Sequence, residues 1–221
     1  MQIALLGGTG DIGEGLALRI ARDSGHDVVV GSRDAEKAET TATAYTETLA
    51  DHGSSAAVDG MENPAAAAGA DIAVAAVPAY YLSDTIEAVA EELDGTVLVS
   101  PAVGMQRDEA GLHYNPPGVG SVTELAAKAA PDDVPVVGAF HNLAAAKLSD
   151  LDADIDWDVP VVGDDGDATA TIHGLVEEID GLRPLSAGGL ANASEVESLT
   201  PLLINLAANN DGMHDLGVKF W

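Results

Sequence analysis

Apolar runs bounded by turn residues recur along the chain, and the segments between them carry helical spacing. The continuous apolar character of these runs predicts buried strands of a parallel sheet. Their alternation with helices predicts an α/β fold built on a doubly wound parallel sheet. The predicted strands lie at 2–7, 27–31, 71–77, 96–99, 134–140 and 159–163, with a weaker one at 55–58, and the helices at 11–23, 34–51, 80–93, 120–130 and 166–179.

The alternation weakens after about residue 141. An Ala-rich segment and an acidic stretch precede one more strand, a turn, and a helix ending in IDGLRPL. A last helix is predicted over 192–209, restarting at Thr200-Pro201 with the threonine as its cap. These features predict two domains, one over 1–140 and a small C-terminal α/β domain over 141–221.

The composition is strongly acidic and free of cysteine. The 221 residues include 37 acidic and nine basic side chains, for a formal charge of −28. This charge argues against nucleic acid or an anionic membrane as a partner, and it resembles cytosolic proteins of salt-accumulating microbes. No disulfide, thiol catalysis or thiolate metal site is available, and no apolar run approaches the length of a membrane span. We therefore expect a soluble, cytoplasmic, halophilic protein.

The negative charge is unevenly distributed. Residues 1–37 hold four basic and six acidic groups, a net charge of −2, whereas the remaining residues hold five basic and 31 acidic groups, a net charge of −26. An anionic ligand is therefore expected to bind near the beginning of the chain.

The segment GGTGDIG at 7–13 contains a G-x-G-x-x-G pattern, with Gly8 or Gly7 as its first glycine, followed by Gly10 and Gly13. It follows a predicted strand and opens a predicted helix, which is the context that a dinucleotide-binding loop requires. The free N–H groups of the helix would meet a pyrophosphate. Asp11 would repel a phosphate, so we expect it to cap the helix or point away. The alternative is a glycine-rich turn without a ligand.

The second predicted strand ends in Gly31-Ser32-Arg33, where an NAD-binding unit places a carboxylate about 20 residues after its loop. A guanidinium and a small hydroxyl suit a 2′-phosphate, and Lys37 lies one helical turn beyond Arg33. The pattern favours NADP over NAD, with Asp34 as a helix cap. The alternative is that Arg33 is a surface ion-pair partner.

With these motifs, the stretches GGTGDIG, GLALRIA, VVVGSR and EKAE resemble the NADPH-dependent reductases of the 8-hydroxy-5-deazaflavin coenzyme F420. The resemblance continues through DWDVPVVGDD, EIDGLRPL, VESLTPLLIN and LGVKFW, over essentially the whole chain. It implies a Rossmann-type domain with a small C-terminal domain that closes a cleft for the deazaflavin. The implied activity is reversible hydride transfer between NADPH and coenzyme F420, two small-molecule coenzymes, in a homodimer.

The resemblance also implies the positions that contact each coenzyme. The chain departs from the family at Asp11, Ser194 and the segments 79–81 and 142–144, so the deazaflavin contacts match less well than those to NADP. The implied contacts are Gly8, Thr9, Gly10, Asp11 and Ile12 at the phosphates, Ser32, Arg33 and Lys37 at the 2′-phosphate, Val77, Pro78, Val103, Ala145 and Leu216 on the nicotinamide side, and His141, Ser198 and Thr200 where the two rings meet.

Hydride transfer needs two rings held face to face and needs neither a nucleophile nor a metal. His141 is the candidate acid or donor because a histidine pKa ordinarily lies near neutrality; its alternative role is packing at a strand end. The other histidines lack ligand spacing, so no metal site is expected. The Tyr80–Tyr81 pair either stacks on a ring or packs in the core.

Two other functions are compatible with the same fold. An NADPH-dependent imine or ketone reductase would need a proton donor such as Tyr80 or His141 and a pocket for a small molecule. A non-enzymatic NADP-binding redox sensor would need an exposed apolar surface for a partner. Neither explains the late motifs EIDGLRPL and VESLTP.

Overall fold

A computed structural model describes all 221 residues and contains one eight-stranded mixed sheet with helices on both faces. A separate two-stranded hairpin stands beside it. The strands are β1 (Gln2–Leu6), β2 (Asp27–Ser32), β3 (Val58–Glu62), β4 (Ile72–Ala75), β5 (Val97–Ser100), β6 (Met105–Asp108), β7 (Gly111–Tyr114), β8 (Val136–Gly138), β9 (Trp157–Gly163) and β10 (Leu182–Ser186). The helices are α1 (Asp11–Asp23), α2 (Ala35–Asp51), α3 (Asn63–Ala67), α4 (Leu82–Glu87), α5 (Val122–Ala129), α6 (Ala145–Ser149), α7 (Gly166–Glu178), α8 (Ala193–Glu197) and α9 (Leu199–Asn209).

The strand order is β10-β9-β8-β5-β4-β1-β2-β3. Strand β1 lies between β2 and β4 and is parallel to both, so the chain changes direction across the sheet at β1. Helices α1, α2 and α7 cover one face and α3, α4 and α5 the other, each over a buried apolar layer. The predicted doubly wound α/β fold is confirmed, and its carboxyl edge beside β1 is where such sheets bind ligands.

The sheet is mostly, not entirely, parallel. Strand β9 runs antiparallel to β8, and β10 runs parallel to β9. The predicted parallel arrangement therefore holds from β3 to β8, whereas β9 reverses direction and β10 was not predicted as a strand. Because β9 and β10 extend the same sheet, the C-terminal residues are joined to the first 140 by strand hydrogen bonds; the division into domains 1–140 and 141–221 stays a prediction.

Several boundaries differ from the predictions. The segment IDGLRPL contains the edge strand β10, where Pro184 lacks an N–H that an edge strand does not need. The predicted helix at 80–93 is helical only over Leu82–Glu87, flanked by 3-10 turns, and the β6–β7 hairpin was not predicted. The last helical segment breaks at Ser198, so Thr200 is the second residue of α9 and not its cap.

Candidate functional site

The loop between β1 and α1 is shaped by close backbone contacts. A Cβ atom added to Gly13 would lie 2.5 Å from the Gly8 Cα, and one added to Gly8 would lie 2.7 Å from the Leu5 Cβ. By contrast, a Cβ on Gly10 would have no atom within 4 Å. Gly8 and Gly13 therefore allow the tight turn, whereas Gly10 leaves open space at the helix N-terminus where a ligand can approach the backbone.

The N-terminus of α1 has no side-chain cap. Gly10 occupies the cap position, and the exposed Asp11 is the first helical residue with no hydrogen bond from its side chain. Asp11 therefore does not cap the helix, which was one of its two predicted roles. The uncapped first-turn N–H groups and the helix dipole remain available to an anion.

One cavity, which we name the arginine cavity, opens beside this loop at the end of β2, with a volume of about 510 Å³. Arg33 and Lys37 both line it and neither forms an ion pair. The alternative interpretation of Arg33 as an ion-pair partner therefore has no support in the structure. The predicted residues that line this cavity are Thr9, Gly10, Ser32, Arg33, Lys37, Val77 and Pro78.

Two neighbouring residues organise the start of α2. Asp34 caps the helix by accepting a hydrogen bond from the Lys37 N–H at 3.0 Å, which confirms its predicted role. The Ser32 hydroxyl accepts from the Asp34 N–H at 3.2 Å. Asp34 also lines the arginine cavity, where one of its carboxylate oxygens is occupied by the cap.

Tyr81 lies under Arg33 on the floor of the arginine cavity. The guanidinium carbon is 5.3 Å from the centre of the Tyr81 ring, a cation–π distance. Tyr81 is 42% exposed and Tyr80 is 76% exposed, so of the two alternatives for this pair, packing in the core is wrong. Tyr81 thus holds the arginine at the cavity wall without neutralising its charge.

Asn63 supports the glycine loop from below and was not predicted. Its side-chain Oδ1 accepts a hydrogen bond from the Gly7 N–H at 3.1 Å, and a Cβ on Gly31 would lie 2.6 Å from the same oxygen. Gly7 has a φ of 71°, and its missing side chain makes room for Val77. An asparagine before Pro64 reads in the sequence as a helix start, so no signal distinguished it.

A second cavity of about 650 Å³, the histidine cavity, lies beyond β4 at the same sheet edge. Gly10, Ala76, Val77 and Pro78 line both cavities, so the two form one cleft across the end of β1 and β4. The predicted residues that line the histidine cavity are Gly10, Asp11, Ile12, Val77, Pro78, Val103, His141, Ala145 and Thr200.

His141 is buried at the wall of this cavity, with 3% of its surface exposed. Its Nε2 lies 3.2 Å from the Thr123 Oγ1, and its backbone carbonyl accepts from the Thr200 hydroxyl at 2.7 Å. Burial lowers the pKa of His141 to about 3, so the imidazole is neutral at pH 7. The expectation of a pKa near neutrality is wrong, because the side chain is removed from water.

Three predicted residues lie outside these two cavities. Leu216 lines a smaller third cavity of about 410 Å³, the tail cavity, together with Ala145 and Thr200. Gly8 is buried beneath the loop. Ser198 donates its hydroxyl to the Glu195 carbonyl at 2.7 Å and lines none of the three cavities.

No three histidine or acidic side chains stand close enough together to bind a metal ion. None of the helices combines the length and apolar character needed to cross a bilayer. The cleft offers backbone N–H groups, the cations Arg33 and Lys37 and the buried neutral imidazole of His141. Hydroxyl, amide and carboxylate side chains also line it, among them Ser32, Asn63, Asp34 and Asp84.

Comparison with known proteins relates this chain to one family over nearly its whole length. A family profile described as "NADP oxidoreductase coenzyme F420-dependent" matches residues 2–104. The F420-dependent NADP reductase of Methanocaldococcus jannaschii is 39% identical over 93% of this chain and 92% of its own, and that of Methanothermobacter marburgensis is 40% identical over 95% and 94%. A crystal structure of a putative F420-dependent NADP reductase from Arthrobacter sp. FB24 superposes with a TM-score of 0.81 at 26% identity, covering 100% of this chain and 99% of that one.

Proposed function

The chain belongs to the family of coenzyme F420-dependent NADP oxidoreductases, and we propose that it catalyses reversible hydride transfer between NADPH and coenzyme F420. The observation that carries this proposal is the single cleft that joins the arginine cavity to the histidine cavity. A dinucleotide can extend from Arg33 across the glycine loop, and its nicotinamide then reaches the cavity that contains His141.

On the nucleotide side, the proposed contacts divide into backbone and side-chain groups. The glycine loop supplies the turn and the free N–H groups for the pyrophosphate, through Gly8, Thr9, Gly10, Asp11 and Ile12. Ser32, Arg33 and Lys37 supply one hydroxyl and two cations for the 2′-phosphate. The free charge of Arg33 and Lys37 supports this assignment, because an ion pair within the protein would compete with the phosphate.

On the ring side, the proposed contacts are mostly apolar. Val77, Pro78, Val103 and Ala145 present flat aliphatic surface to the nicotinamide and the deazaflavin, and Thr200 and His141 supply polar atoms. Ser198 and Leu216 are proposed as deazaflavin and nicotinamide contacts on the resemblance alone, since neither lines the histidine cavity.

Nicotinamide carbon 4 and deazaflavin carbon 5 supply the hydride donor and acceptor, so the protein's task is positioning. Effective transfer requires the two carbons at roughly 3–3.5 Å with their rings stacked. The mostly apolar lining of the histidine cavity would limit contact between the bound rings and water. His141 is neutral and buried, so it contributes shape and a hydrogen bond and carries no charge in this step.

An imine or ketone reductase is less well supported. That reaction needs a proton donor at the substrate, and burial keeps His141 unprotonated at neutral pH. Tyr80, the other candidate, is 76% exposed and has no hydrogen-bond partner that would hold its hydroxyl in place against a substrate. A redox sensor would not need the histidine cavity.

The direct test mixes the purified protein with NADPH and oxidised coenzyme F420 in concentrated salt and follows the visible absorbance of the deazaflavin. We expect bleaching with NADPH and much slower bleaching with NADH. The reverse reaction, NADP⁺ with reduced F420, should restore the absorbance. Absence of bleaching in a sample whose circular dichroism shows the folded state would refute the proposed function.

We also propose that the protein is a homodimer through α9. Only Pro201 of this helix is buried, whereas Leu202 and Leu206, which lie one helical turn apart on the same face, are 53% and 42% exposed. A second copy would cover this apolar face. Light scattering should give twice the chain mass, and Leu202→Asp with Leu206→Asp should give the monomer mass; a monomeric wild type would refute the proposal.

The acidic composition supports a cytoplasmic, halophilic protein. A net charge of −28 repels itself at low ionic strength, and molar salt shortens the Debye length to about 3 Å. Dialysis into low salt should unfold or dissociate the protein, as followed by circular dichroism and light scattering. Full activity in low salt would contradict this proposal.

A further inference from the structure

One buried carboxylate, Glu197, has no role in the proposed positioning of the rings. It is 0% exposed and no lysine or arginine pairs with it. Its Oε2 accepts from the Tyr114 hydroxyl at 2.9 Å and the Val122 N–H at 3.0 Å, and its Oε1 accepts from the Thr123 N–H and hydroxyl, both at 2.9 Å. The carboxylate thus sits on the N-terminus of α5, where the helix dipole favours negative charge.

The hydrogen bonds of Glu197 determine the direction of the next one. Four donors occupy the lone-pair sites of the carboxylate, so it has no proton to give. The Thr123 hydroxyl has one proton, and that proton is donated to Glu197. The Thr123 oxygen can therefore only accept from the His141 Nε2, which lies 3.2 Å away.

The tautomer of His141 follows from this direction. The neutral imidazole carries one proton, and Nε2 must hold it in order to donate to Thr123. Nδ1 then has a free lone pair, and it is buried without a partner in the protein. Phe140 has a φ of 67°, which turns the chain sharply at the end of β8, and the Thr200 bond holds the His141 carbonyl. The imidazole of His141 is thus held by Thr123 and its backbone carbonyl by Thr200.

We propose that Glu197 is a positioning residue that acts through Thr123 to hold His141 as its Nε2–H tautomer, so that Nδ1 accepts a hydrogen bond from an amide N–H of a ring in the histidine cavity. This inference rests on the proposed function, because two rings there carry such a donor: the carboxamide of nicotinamide and the pyrimidine ring of the deazaflavin. His141 is then a fixed acceptor that orients a ring, in contrast to the acid expected from the sequence.

The first test needs neither coenzyme. Long-range ¹H–¹⁵N correlation spectra of the ¹⁵N-histidine-labelled protein report which nitrogen carries the proton, and His141→Gln identifies the signal of His141. We expect the Nε2–H pattern, unchanged from pH 5 to pH 8. An Nδ1–H pattern or a titrating imidazole overturns the proposal. Because this readout is independent of turnover, inactivity with F420 would refute the proposed function and leave the tautomer result intact.

The second test breaks the chain of hydrogen bonds from Glu197 through Thr123 to His141. Thr123→Val keeps the shape of the side chain and removes its hydroxyl. We expect mixed tautomers and a KM raised about three- to tenfold for one coenzyme, the loss of one hydrogen bond. Thr123→Ser should restore both properties. Tyr114→Phe is the matched control, because it removes a different bond from Glu197, and it should lower the melting temperature without changing either KM.

Two measurements decide which ring donates to Nδ1. If Nδ1 binds the deazaflavin, only the KM for F420 rises. If it binds the carboxamide, Thr123→Val abolishes the preference for NADP over its 3-acetylpyridine analogue, which lacks the amide N–H. A changed tautomer with both KM values unchanged overturns the proposal, and so does an equal effect of Tyr114→Phe. If Thr123→Val does not fold, the wild-type spectrum and the properties of Thr123→Ser still test the proposed tautomer of His141.

Discussion

The arginine cavity and the histidine cavity share a wall but are built in different ways. The first is formed by three short stretches, the glycine loop at 7–13, the turn at 32–37 and the segment 76–88, together with Asn63. It offers a ligand backbone N–H groups and the positive charge of Arg33 and Lys37. The second combines residues from Gly10 to Thr200, and its walls are side chains from widely separated segments. A phosphate site can thus be local in sequence, whereas a site for stacked rings needs the whole fold to define its shape.

The basic residues show the same contrast. Arg19 donates to backbone carbonyls at 147–153, Arg22 pairs with Asp23, and Arg183 pairs with Asp158. These cations hold distant segments together and are not available to a ligand. Of the basic side chains that form no ion pair, only Arg33 and Lys37 line the arginine cavity, which is consistent with their role as ligands for a phosphate.

The largest expected effect comes from reversing the charge of the arginine cavity. Arg33→Glu should reduce the preference for NADPH over NADH by about 100-fold, because charge-assisted bonds to the 2′-phosphate are replaced by repulsion. KM values for both nucleotides at constant F420 measure this preference. Arg107→Glu, the same charge change on the exposed strand β6, is the control and should leave it unaltered. An unchanged preference in Arg33→Glu would remove the 2′-phosphate role.

The glycine loop offers a way to separate binding from folding. Gly10→Ala should fold normally, since a Cβ there meets no atom within 4 Å, but should weaken NADPH binding about tenfold by occupying the space of the pyrophosphate. Gly13→Ala should lower the melting temperature as well, because its Cβ would lie 2.5 Å from the Gly8 backbone. Calorimetric titration and thermal melts measure the two properties. Equal melting temperatures for the two variants would contradict this contrast.

The C-terminal segment that ends at Trp221 is held by Asp158. Its carboxylate accepts from Arg183 at 2.8 and 2.7 Å and from the Phe220 N–H at 2.6 Å, which anchors the segment that brings Leu216 to the tail cavity. Asp158→Asn should reduce the folding equilibrium constant about five- to tenfold. Asp156→Asn is the control, because Asp156 is 73% exposed and bonds only Lys219.

The same anchor should be sensitive to acid. The hydrogen bonds from Arg183 lower the pKa of Asp158 to about 2, below the ordinary value of an unfolded aspartate near 3.9. Stability from this group is therefore fully present above about pH 4 and is lost as the pH falls toward 2. The difference in unfolding free energy between the wild type and Asp158→Asn should shrink over that interval, as measured by urea titration. A constant difference would show that the carboxylate charge is not involved.

The features predicted correctly from the sequence are those decided by neighbouring residues. The strand, loop and helix around GGTGDIG and the cap at Asp34 each depend on a few consecutive positions. The tyrosine pair beside Pro78 was noted, but its contact with Arg33 depends on two strand ends meeting in the fold.

The features missed depend on contacts between distant residues. The antiparallel pairing of β8 with β9 and the edge position of β10 are set by tertiary packing, and local patterns do not encode strand direction. Nothing in VESLTP distinguishes Glu197 from the other acidic residues, because its partners lie 74 to 83 positions away. The pKa of His141 was misjudged for the same reason, since its burial is created by distant segments.

The smallest expected effect tests whether the two cavities act separately. The Tyr80 and Tyr81 rings are 4.3 Å apart, but Tyr81 lines the arginine cavity and Tyr80 the histidine cavity. Tyr81→Leu should raise the KM for NADPH two- to fivefold, the loss of an exposed cation–π contact of about 0.5–1 kcal/mol with Arg33, and leave the KM for F420 unchanged. Tyr80→Leu should affect F420 instead. If both variants raise both KM values equally, the pair acts as one wall, and the division of the cleft at these adjacent residues is wrong.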